Sequence, residues 1–259
     1  MEANRTADVQ SNVAGQEQRS QFSAYRALRL LETSLVHVIL VIGALAFIFP
    51  FYWLIITSIK SNAELFIWPP TLIPRTVELF HYGDALQEVP ILRYMGNSTY
   101  LTVLNLIGVL ISSSLVAFGF TRYHVPGSRI LFAALLATMM LPHHVTMIPL
   151  FLVFRALGWV DTFRPLWVPA FLGNAFFIFL LRQFFASIPS ELFDAARIYG
   201  SSEFGQYWRI MLPLSKPALT TVAIFQFQWT WNDFLNPLIY INSQSKKTIA
   251  LGLQDFYKS

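Results

Sequence analysis

Cysteine is absent from the sequence, and charged residues are scarce. Without cysteine the chain can form neither disulfide bonds nor thiolate metal sites, and its redox compartment stays undetermined. Charged residues make up 12% of the 259 residues, whereas soluble domains carry roughly 25%. Hydrophobic residues reach 55%, so the composition indicates an integral membrane protein. The net charge of +4 is scattered along the chain and predicts no nucleic-acid-binding face. Anionic lipid headgroups are a sufficient partner for the excess positive charge.

The sequence contains five long stretches with at most one charged residue each. Windows 33–59, 99–121, 130–154 and 165–181 contain no Asp, Glu, Lys or Arg, and window 217–245 contains only Asp233. A helix needs about 20 apolar residues to cross a hydrocarbon core about 30 Å thick. Because lipid cannot satisfy backbone amides, each window is predicted to be helical. The sequence therefore predicts an all-α, polytopic membrane protein. Its five spanning helices are predicted at 35–57, 99–120, 130–153, 164–182 and 216–240.

The predicted spans divide the chain into three regions. Residues 1–33 are predicted to hold a polar tail (1–24) and a short interfacial helix (25–32). Residues 34–241 form the transmembrane domain, and residues 242–259 form a short C-terminal tail. The 60–98 connection, with its Trp-Pro-Pro stretch, is predicted to be structured outside the bilayer. Lys and Arg number 10 on one set of connections and 8 on the other, so the positive-inside rule does not orient the chain.

The connection before the last predicted span carries the most regular polar pattern in the chain. A proline followed by Glu191 and Asp194 predicts a helix start, since proline suits the first turn and acids there complement the helix dipole. Gly200 is predicted to end this helix in a left-handed conformation. Arg197 can reach back to Asp194 at i, i+3.

A second helical stretch, at about 203–212, is predicted to end at Pro213. Four residues of the first stretch are predicted to share one helix face: Leu192, Ala195, Ala196 and Tyr199. The result is a short amphipathic helix outside the bilayer, fixed at both ends to spanning helices. Such a helix could rest on lipid headgroups, or it could act as a lever if a partner grips it.

This segment resembles the signature loop of ABC importer permeases, which reads Glu-Ala-Ala-x3-Gly-x9-Ile-x-Leu-Pro. Here Asp194-Ala-Ala is followed at matching spacings by Gly200, Ile210 and Leu212-Pro213. The one departure is Asp194, where the family usually has Glu. Three further stretches resemble the maltose-type, carbohydrate-transporting branch. They are "ATMMLPHHVTMIPLFLVFRALG" (137–158), "LLRQFFASIPSELFDAA" (180–196) and "QWTWNDFLNPLIYIN" (228–242). The resemblance covers about residues 26–255.

The resemblance implies the permease subunit of a binding-protein-dependent sugar importer in the bacterial plasma (inner) membrane, with the fold of a type I ABC importer transmembrane domain. It implies a second permease subunit, two cytoplasmic ATPase subunits that use ATP and Mg, and an extracytoplasmic solute-binding protein. The coupling segment (189–213) would contact the ATPase, which places the N-terminus in the cytoplasm and the 60–98 connection outside. The residues expected to couple to the ATPase are Glu191, Asp194, Ala195, Ala196, Arg197, Gly200, Ile210, Leu212 and Pro213. The chain has no G-x-x-x-x-G-K-[ST] phosphate loop, so no enzyme activity or bound cofactor is expected of it.

Members of this branch usually have six core helices, the last of them following a stretch like Leu251-Gly252-Leu253. The sequence printed here ends at Ser259. The expectation is therefore five spans with the usual final helix missing, either in a fragment or after a premature stop. The C-terminal residues would then lie on the outer face.

Polar residues within the predicted spans are candidates for the solute path. An Asp at a helix centre costs roughly 2.5 to 3.5 kcal/mol, so Asp233 should face the bundle interior or lie near the interface. The tryptophans and amides beside it could stack on and hydrogen-bond a sugar, or the tryptophans could anchor the helix at the interface. Asn105 and Asn174 could line the path or make interhelical hydrogen bonds. The candidate path residues are Asn105, Asn174, Gln228, Trp229, Trp231, Asn232 and Asp233.

Other functions have less support in the sequence. A secondary transporter would need intramembrane carboxylates for ion coupling, and only Asp233 is available. A membrane enzyme would need clustered histidines or acid–base pairs, and the spans offer only the adjacent His143 and His144. Neighbouring residues point about 100° apart on a helix, so no metal site is predicted there. Pro142 and Pro149 in the same predicted span indicate a broken helix.

Overall fold

In the computed structural model of the chain, residues 32–123 and 126–254 are described, apart from the side chains of Glu88 and His143. The predicted N-terminal tail (1–24) and most of the predicted interfacial helix (25–31) lie outside these residues. The described residues are helical with no β-strand, which confirms the all-α prediction. The chain divides into two compact units, 1–84 and 85–259.

The first unit begins with a long apolar helix, α1 (Glu32–Ser58), which confirms the span predicted at 35–57. The short helix α2 (Asn62–Leu65) follows. The buried Glu64 carboxylate accepts hydrogen bonds from the Thr71 hydroxyl and from the Arg75 amide, at 3.1 Å for the latter. Lys60 donates to the Thr71 carbonyl. This connection is therefore structured, as predicted. Helix α3 (Phe80–Glu88) contains the boundary between the units.

The second unit is organised around α4 (Ile91–Arg122), a 32-residue helix that includes the span predicted at 99–120. At 1.5 Å per residue it is about 48 Å long, so it extends beyond a hydrocarbon core of about 30 Å. Its buried face is rich in small residues, among them Ser113, Ser114 and Ala117. At Gly108 a Cβ atom would lie 2.6 Å from the Phe171 ring. Small side chains on α4 thus let neighbouring helices approach closely.

The span predicted at 130–153 is two helices, α5 (Ser128–Thr138) and α6 (His143–Ala156). The break ends at Pro142, because proline lacks an amide donor and disfavours the helical conformation of the residue before it. Pro149 lies inside α6. The predicted broken helix is confirmed, and the third predicted span consists of these two helices. At 11 and 14 residues, neither helix approaches the length needed to span alone.

The span predicted at 164–182 contains α7 (Arg164–Trp167), a 3₁₀ turn (Val168–Leu172) and α8 (Ala175–Ala186). Gly173, with φ +90°, separates the 3₁₀ turn from α8. Asn174 caps α8: its Oδ1 accepts from the Phe176 amide at 3.0 Å and from the Phe177 amide at 3.3 Å. The whole stretch, 164–186, is still long and apolar enough to cross a membrane.

The remaining helices of the second unit are short except for one. They are α9 (Glu191–Ile198), α10 (Glu203–Gln206), α11 (Leu212–Leu214), α12 (Lys216–Trp231), α13 (Leu235–Tyr240) and α14 (Ile249–Gly252). The span predicted at 216–240 is thus α12 followed by α13. Among the described residues three helices are long and apolar enough to cross a membrane, or four if 203–214 and 216–231 count as one bent span. Five spans were predicted, the third of them as a broken helix, and the lower count arises from the breaks at 139–142 and 232–234.

Residues 242–254, predicted to belong to a short tail, are packed against the second unit. The Asn97 side-chain amide donates to the carbonyls of Ser245 at 3.0 Å and Lys247 at 2.9 Å. On the other side Asp161, at φ +56°, accepts from the amides of residues 242 and 243 and pairs with Lys246 at 2.9 Å. The Ser243 hydroxyl and amide and the Lys246 ammonium hold the pKa of the Asp161 carboxyl well below its ordinary value. The carboxylate is therefore ionised, and the clamp intact, at neutral pH.

Candidate functional site

The second unit encloses a cavity of about 520 Å³ between α4, α6, α7, α12 and α13. Its walls are partly apolar, from Met147, Leu150 and Phe154 together with the proline-containing stretch 165–169. Its polar and aromatic lining residues are Asn105, Asn174, Gln226, Trp229, Thr230, Asp233, Asn236 and Tyr240. None of the lysines and arginines in the described part of the chain lines this cavity.

Two asparagines at the cavity are fixed by the backbone of other elements. Asn105 is 6% exposed, and its side-chain amide donates to the carbonyls of Leu101 and Leu166, each at 2.9 Å. The bond to Leu166 links α4 to α7, so Asn105 makes the interhelical contact considered from the sequence and lines the cavity as well. Asn174 reaches the cavity from the cap of α8.

Helix α12 supplies Gln226, Trp229 and Thr230 to the cavity, and Asp233, two residues beyond its end, continues the same face. The Gln226 amide donates to the Thr230 hydroxyl at 2.8 Å, and the Trp229 ring lies 4.9 Å from the Phe177 ring. Asp233, just beyond the helix, accepts from the backbone and side-chain amides of Asn236 at 3.1 and 2.9 Å. The spacing i, i+3, i+4, i+7 is that of a single helix face.

The structure separates the sequence-predicted path residues into two groups. Asn105, Asn174, Trp229 and Asp233 line the cavity. Gln228, Trp231 and Asn232 do not line it; Trp231 instead stacks on Phe227 at 5.5 Å, and Asn232 donates to the Gln228 carbonyl at 2.9 Å. Gln226, Thr230, Asn236 and Tyr240 were not predicted. Extending the helical period from Trp229 and Asp233 would have found Gln226 and Thr230.

The coupling segment begins with α9, which ends at Gly200 as predicted. Gly200 has φ +77°. The Gly200 amide donates to the Arg197 carbonyl at 3.0 Å and the Ser201 amide to the Ala196 carbonyl at 2.9 Å, which is the Schellman pattern of a glycine helix stop. The predicted pair of Arg197 with Asp194 is present at 3.8 Å, and Arg197 also pairs with Glu203 at 3.1 Å. These pairs are solvent-exposed and contribute little stability.

The second half of the coupling segment joins α12 at a sharp corner. Ser202 caps α10 by accepting from the Gly205 amide at 3.2 Å. A π turn (Tyr207–Met211) follows, and it leads into α11. The prediction that the stretch ends at Pro213 is wrong: helical structure continues to Leu214, because the π turn accommodates a proline that cannot donate. At Ser215 the chain turns by 77° into α12.

Three buried side chains anchor the coupling segment to the unit. Phe193 is fully buried in α9, and the Arg122 guanidinium lies 4.0 Å above its ring. Tyr207 and Met211 are buried in the π turn. The Tyr207 hydroxyl is 2.7 Å from the Ser114 hydroxyl of α4. The sequence did not lead us to predict that Phe193 is the buried residue of α9.

Aromatic and aliphatic side chains on the opposite side of the coupling segment are exposed. Ile198 is 85%, Tyr199 90%, Phe204 68% and Trp208 62% exposed. Phe204 and Trp208 stack on each other with ring centroids 6.4 Å apart. Ala195 is also exposed, and Ala196 is half-buried. A rigid segment thus presents an apolar face that no described residue covers.

Comparison with known proteins places the chain in a family. The family described as "binding-protein-dependent transport system inner membrane component" matches residues 105–255. A putative ABC transporter permease protein ORF2 of Caldicellulosiruptor is 35% identical over 208 residues, covering 80% of this chain and 75% of the relative. The arabinooligosaccharides transport system permease protein AraQ of Bacillus subtilis is 33% identical over 237 residues, covering 90% and 81%.

A solved structure is similar as well. It is the crystal structure of a bacterial ABC transporter involved in the import of the acidic polysaccharide alginate, with a TM-score of 0.75 and 28% identity over 86% of this chain and 78% of that one. The similarity of both sequence and fold agrees with the resemblance seen in the signature loop. The chain belongs to the family of inner-membrane components of binding-protein-dependent transport systems, and it is a permease component rather than an enzyme.

Proposed function

We propose that the chain forms half of the translocation path of an ATP-driven importer for a sugar or related small polar solute. It pairs with a second permease subunit, receives solute from an extracytoplasmic binding protein, and couples through residues 189–213 to one of two cytoplasmic ATPase subunits. These partners bind and hydrolyse ATP with Mg. In this arrangement the N-terminus and the coupling segment lie in the cytoplasm.

The main support for this proposal is the apolar face of the coupling segment. That face is uncovered, although the segment itself is anchored to the second unit. Tyr199, Phe204 and Trp208 point away from the unit, although the segment behind them is anchored by buried Phe193 and Tyr207. Exposed apolar patches rimmed by polar residues mark protein–protein or membrane contacts. An ATPase groove that seats this face would supply the missing packing.

Movement of the gripped segment would reach the cavity through two helices. The corner at Ser215 joins the segment directly to α12, whose far end carries Trp229 and Asp233 at the cavity. Phe193 and Tyr207 link the segment to α4, which carries Asn105. ATP that favours one arrangement of the ATPase pair would thereby shift the population of cavity shapes.

The cavity favours an uncharged polyhydroxy solute over an anionic one. Trp229 and Tyr240 offer ring faces, and Gln226 and Asn236 offer amide donors and acceptors. Both amide hydrogens of Asn105 are bonded to backbone carbonyls, so it offers its side-chain oxygen as an acceptor. Sugars present apolar ring faces edged with hydroxyls, which these groups can contact. Asp233 can accept from hydroxyls but would repel a carboxylate or phosphate, and no lining cation offsets it. The relative named for arabinooligosaccharides transport supports the carbohydrate class.

Cysteine crosslinking tests the coupling contact directly. The chain has no native cysteine, so Ala195→Cys creates a single reactive thiol on the exposed side of α9. We expect Ala195→Cys to crosslink to the co-expressed ATPase in membranes, and the yield to change when ATP is added. Ser245→Cys, exposed in the 242–254 stretch, is the matched control and should give no ATPase adduct. Equal adducts from both positions, or none from Ala195→Cys in transport-competent membranes, would refute the contact.

A further inference from the structure

Three arginines stand at the boundaries of the apolar windows of the second unit. Arg122 directly follows window 99–121, Arg129 directly precedes window 130–154, and Arg182 directly follows window 165–181. They lie near the end of α4, at the start of α5 and near the end of α8. Cationic side chains at such positions sit at the depth of lipid headgroups, where they attract anionic lipid.

Two of these arginines line one pocket of about 220 Å³. Arg129 and Arg182 share this cationic pocket with Ser128, Phe120 and Phe132, and none of the described acidic residues lines it. Neither arginine has an ion-pair partner within residues 32–123 and 126–254. The pocket thus holds two uncompensated positive charges and a hydroxyl.

The Arg182 guanidinium is preorganised to bind an oxyanion. It lies 4.2 Å above the Phe132 ring, and that ring packs edge-on against Phe120 with centroids 5.4 Å apart. The Arg182 Nε is buried without a hydrogen-bond partner in the described structure. A guanidinium stacked on a ring keeps its N–H groups free in its own plane, which is the geometry that grips phosphate oxygens.

An apolar groove lies beside the cationic pocket. This groove, of about 270 Å³, shares Phe120 and Ser128 with the pocket and is otherwise lined by Val116, Gly119, Tyr123 and Leu131. Nothing lies within 4 Å of where a Gly119 Cβ would be. A charged pocket joined to an apolar groove at the end of apolar helices matches a molecule with an anionic head and a hydrocarbon tail.

We propose that this pocket and groove bind one anionic phospholipid, whose phosphate contacts Arg129 and Arg182 and one of whose acyl chains occupies the groove. Free phosphate would leave the groove empty, and a neutral lipid would leave two arginines without a net counter-charge. Only a phospholipid would occupy both the cationic pocket and the apolar groove. It does not depend on the solute or on the ATPase contact.

Native mass spectrometry of the purified, delipidated full chain tests the site. Palmitoyl-oleoyl phosphatidylglycerol and the matching phosphatidylcholine are titrated separately, and bound lipid is counted. We expect phosphatidylglycerol to bind about tenfold more tightly. Arg182→Gln and Arg129→Gln should each weaken the binding of phosphatidylglycerol about fivefold, since an interfacial cation contributes about that factor to affinity. Gly119→Leu, which fills the groove, should weaken the binding of both lipids.

The matched control is Arg155→Gln, an exposed arginine in the last turn of α6 that lines neither half of the site; it should bind phosphatidylglycerol like the wild type. Thermal unfolding checks that each variant is folded. If Arg182→Gln is not folded, the test rests on Arg129→Gln, because Arg129 is exposed. Equal affinity for the two lipids, or equal losses from Arg155→Gln and Arg129→Gln, would overturn the proposal. Full displacement of lipid by inorganic phosphate, with no effect of Gly119→Leu, would identify a phosphate site and overturn it too.

Discussion

At the scale of single residues, Gly200 connects local backbone chemistry to the proposed coupling. Its φ of +77° lies where glycine is unstrained and most residues are not. Open space surrounds its missing side chain, with nothing within 4 Å of an added Cβ. Within the described chain, a substitution there therefore acts through backbone strain and not through a clash.

We predict that Gly200→Val destabilises the end of α9 by about 1 to 2 kcal/mol, the cost of forcing a β-branched residue into the left-handed region. Solute uptake should be lost while membrane insertion survives, because the direction of the chain after α9 changes. Uptake and membrane abundance are measured together. Gly200→Asn, which tolerates this conformation, should keep most of the uptake.

Gly96→Ala is a second control, since that glycine lies in α4 and its surroundings are open. It should behave like the wild type. Normal uptake by Gly200→Val would contradict the assignment of Gly200 as the stop that orients the coupling segment.

At the scale of secondary-structure elements, α12 has two functional ends. Its start emerges from the 77° corner of the coupling segment, and its last two turns supply Gln226, Trp229 and Thr230 to the cavity. A helix is stiff over this length, so a displacement at one end moves the other. The proposed transmission requires no additional moving part between the ATPase contact and the cavity wall.

We predict that Trp229→Ala raises the KM for uptake of the cognate sugar about tenfold, because the largest ring face of the cavity is lost. Trp231→Ala removes the same side chain two residues further on, where it stacks on Phe227 outside the cavity. It should change KM less than twofold. Initial uptake rates at varied solute concentration separate the two. Equal KM changes would show that α12 does not contact solute through this face.

At the scale of the whole molecule, the proposed orientation assigns opposite sides of the membrane to two exposed segments. In that orientation the coupling segment would lie in the cytoplasm, and the 242–254 stretch, clamped by Asn97 and Asp161, would lie outside. Because the positive charges are nearly balanced between the two sets of connections, the sequence does not settle this orientation.

We predict that a membrane-impermeant maleimide labels Ser245→Cys in intact cells and labels Tyr199→Cys only after permeabilisation. Both positions are exposed, and the cysteine-free background leaves no competing thiol. The reverse pattern would place the coupling segment outside and exclude a cytoplasmic ATPase as its partner.

The sequence by itself determined the helical class, the apolar segments, the break at Pro142 and the stop at Gly200. These features are local: lipid forces an uncharged stretch to satisfy its amides within a helix, proline lacks a donor, and glycine alone is unstrained at positive φ. The tertiary structure decided which polar residues meet at the cavity, for example that Gln226 lines it while Gln228 does not. It also decided that Phe193 is the buried anchor of α9 and that Asp161 clamps a stretch 80 residues further on. Such contacts depend on packing between helices distant in the chain, which the spacing of residues within one helix does not specify.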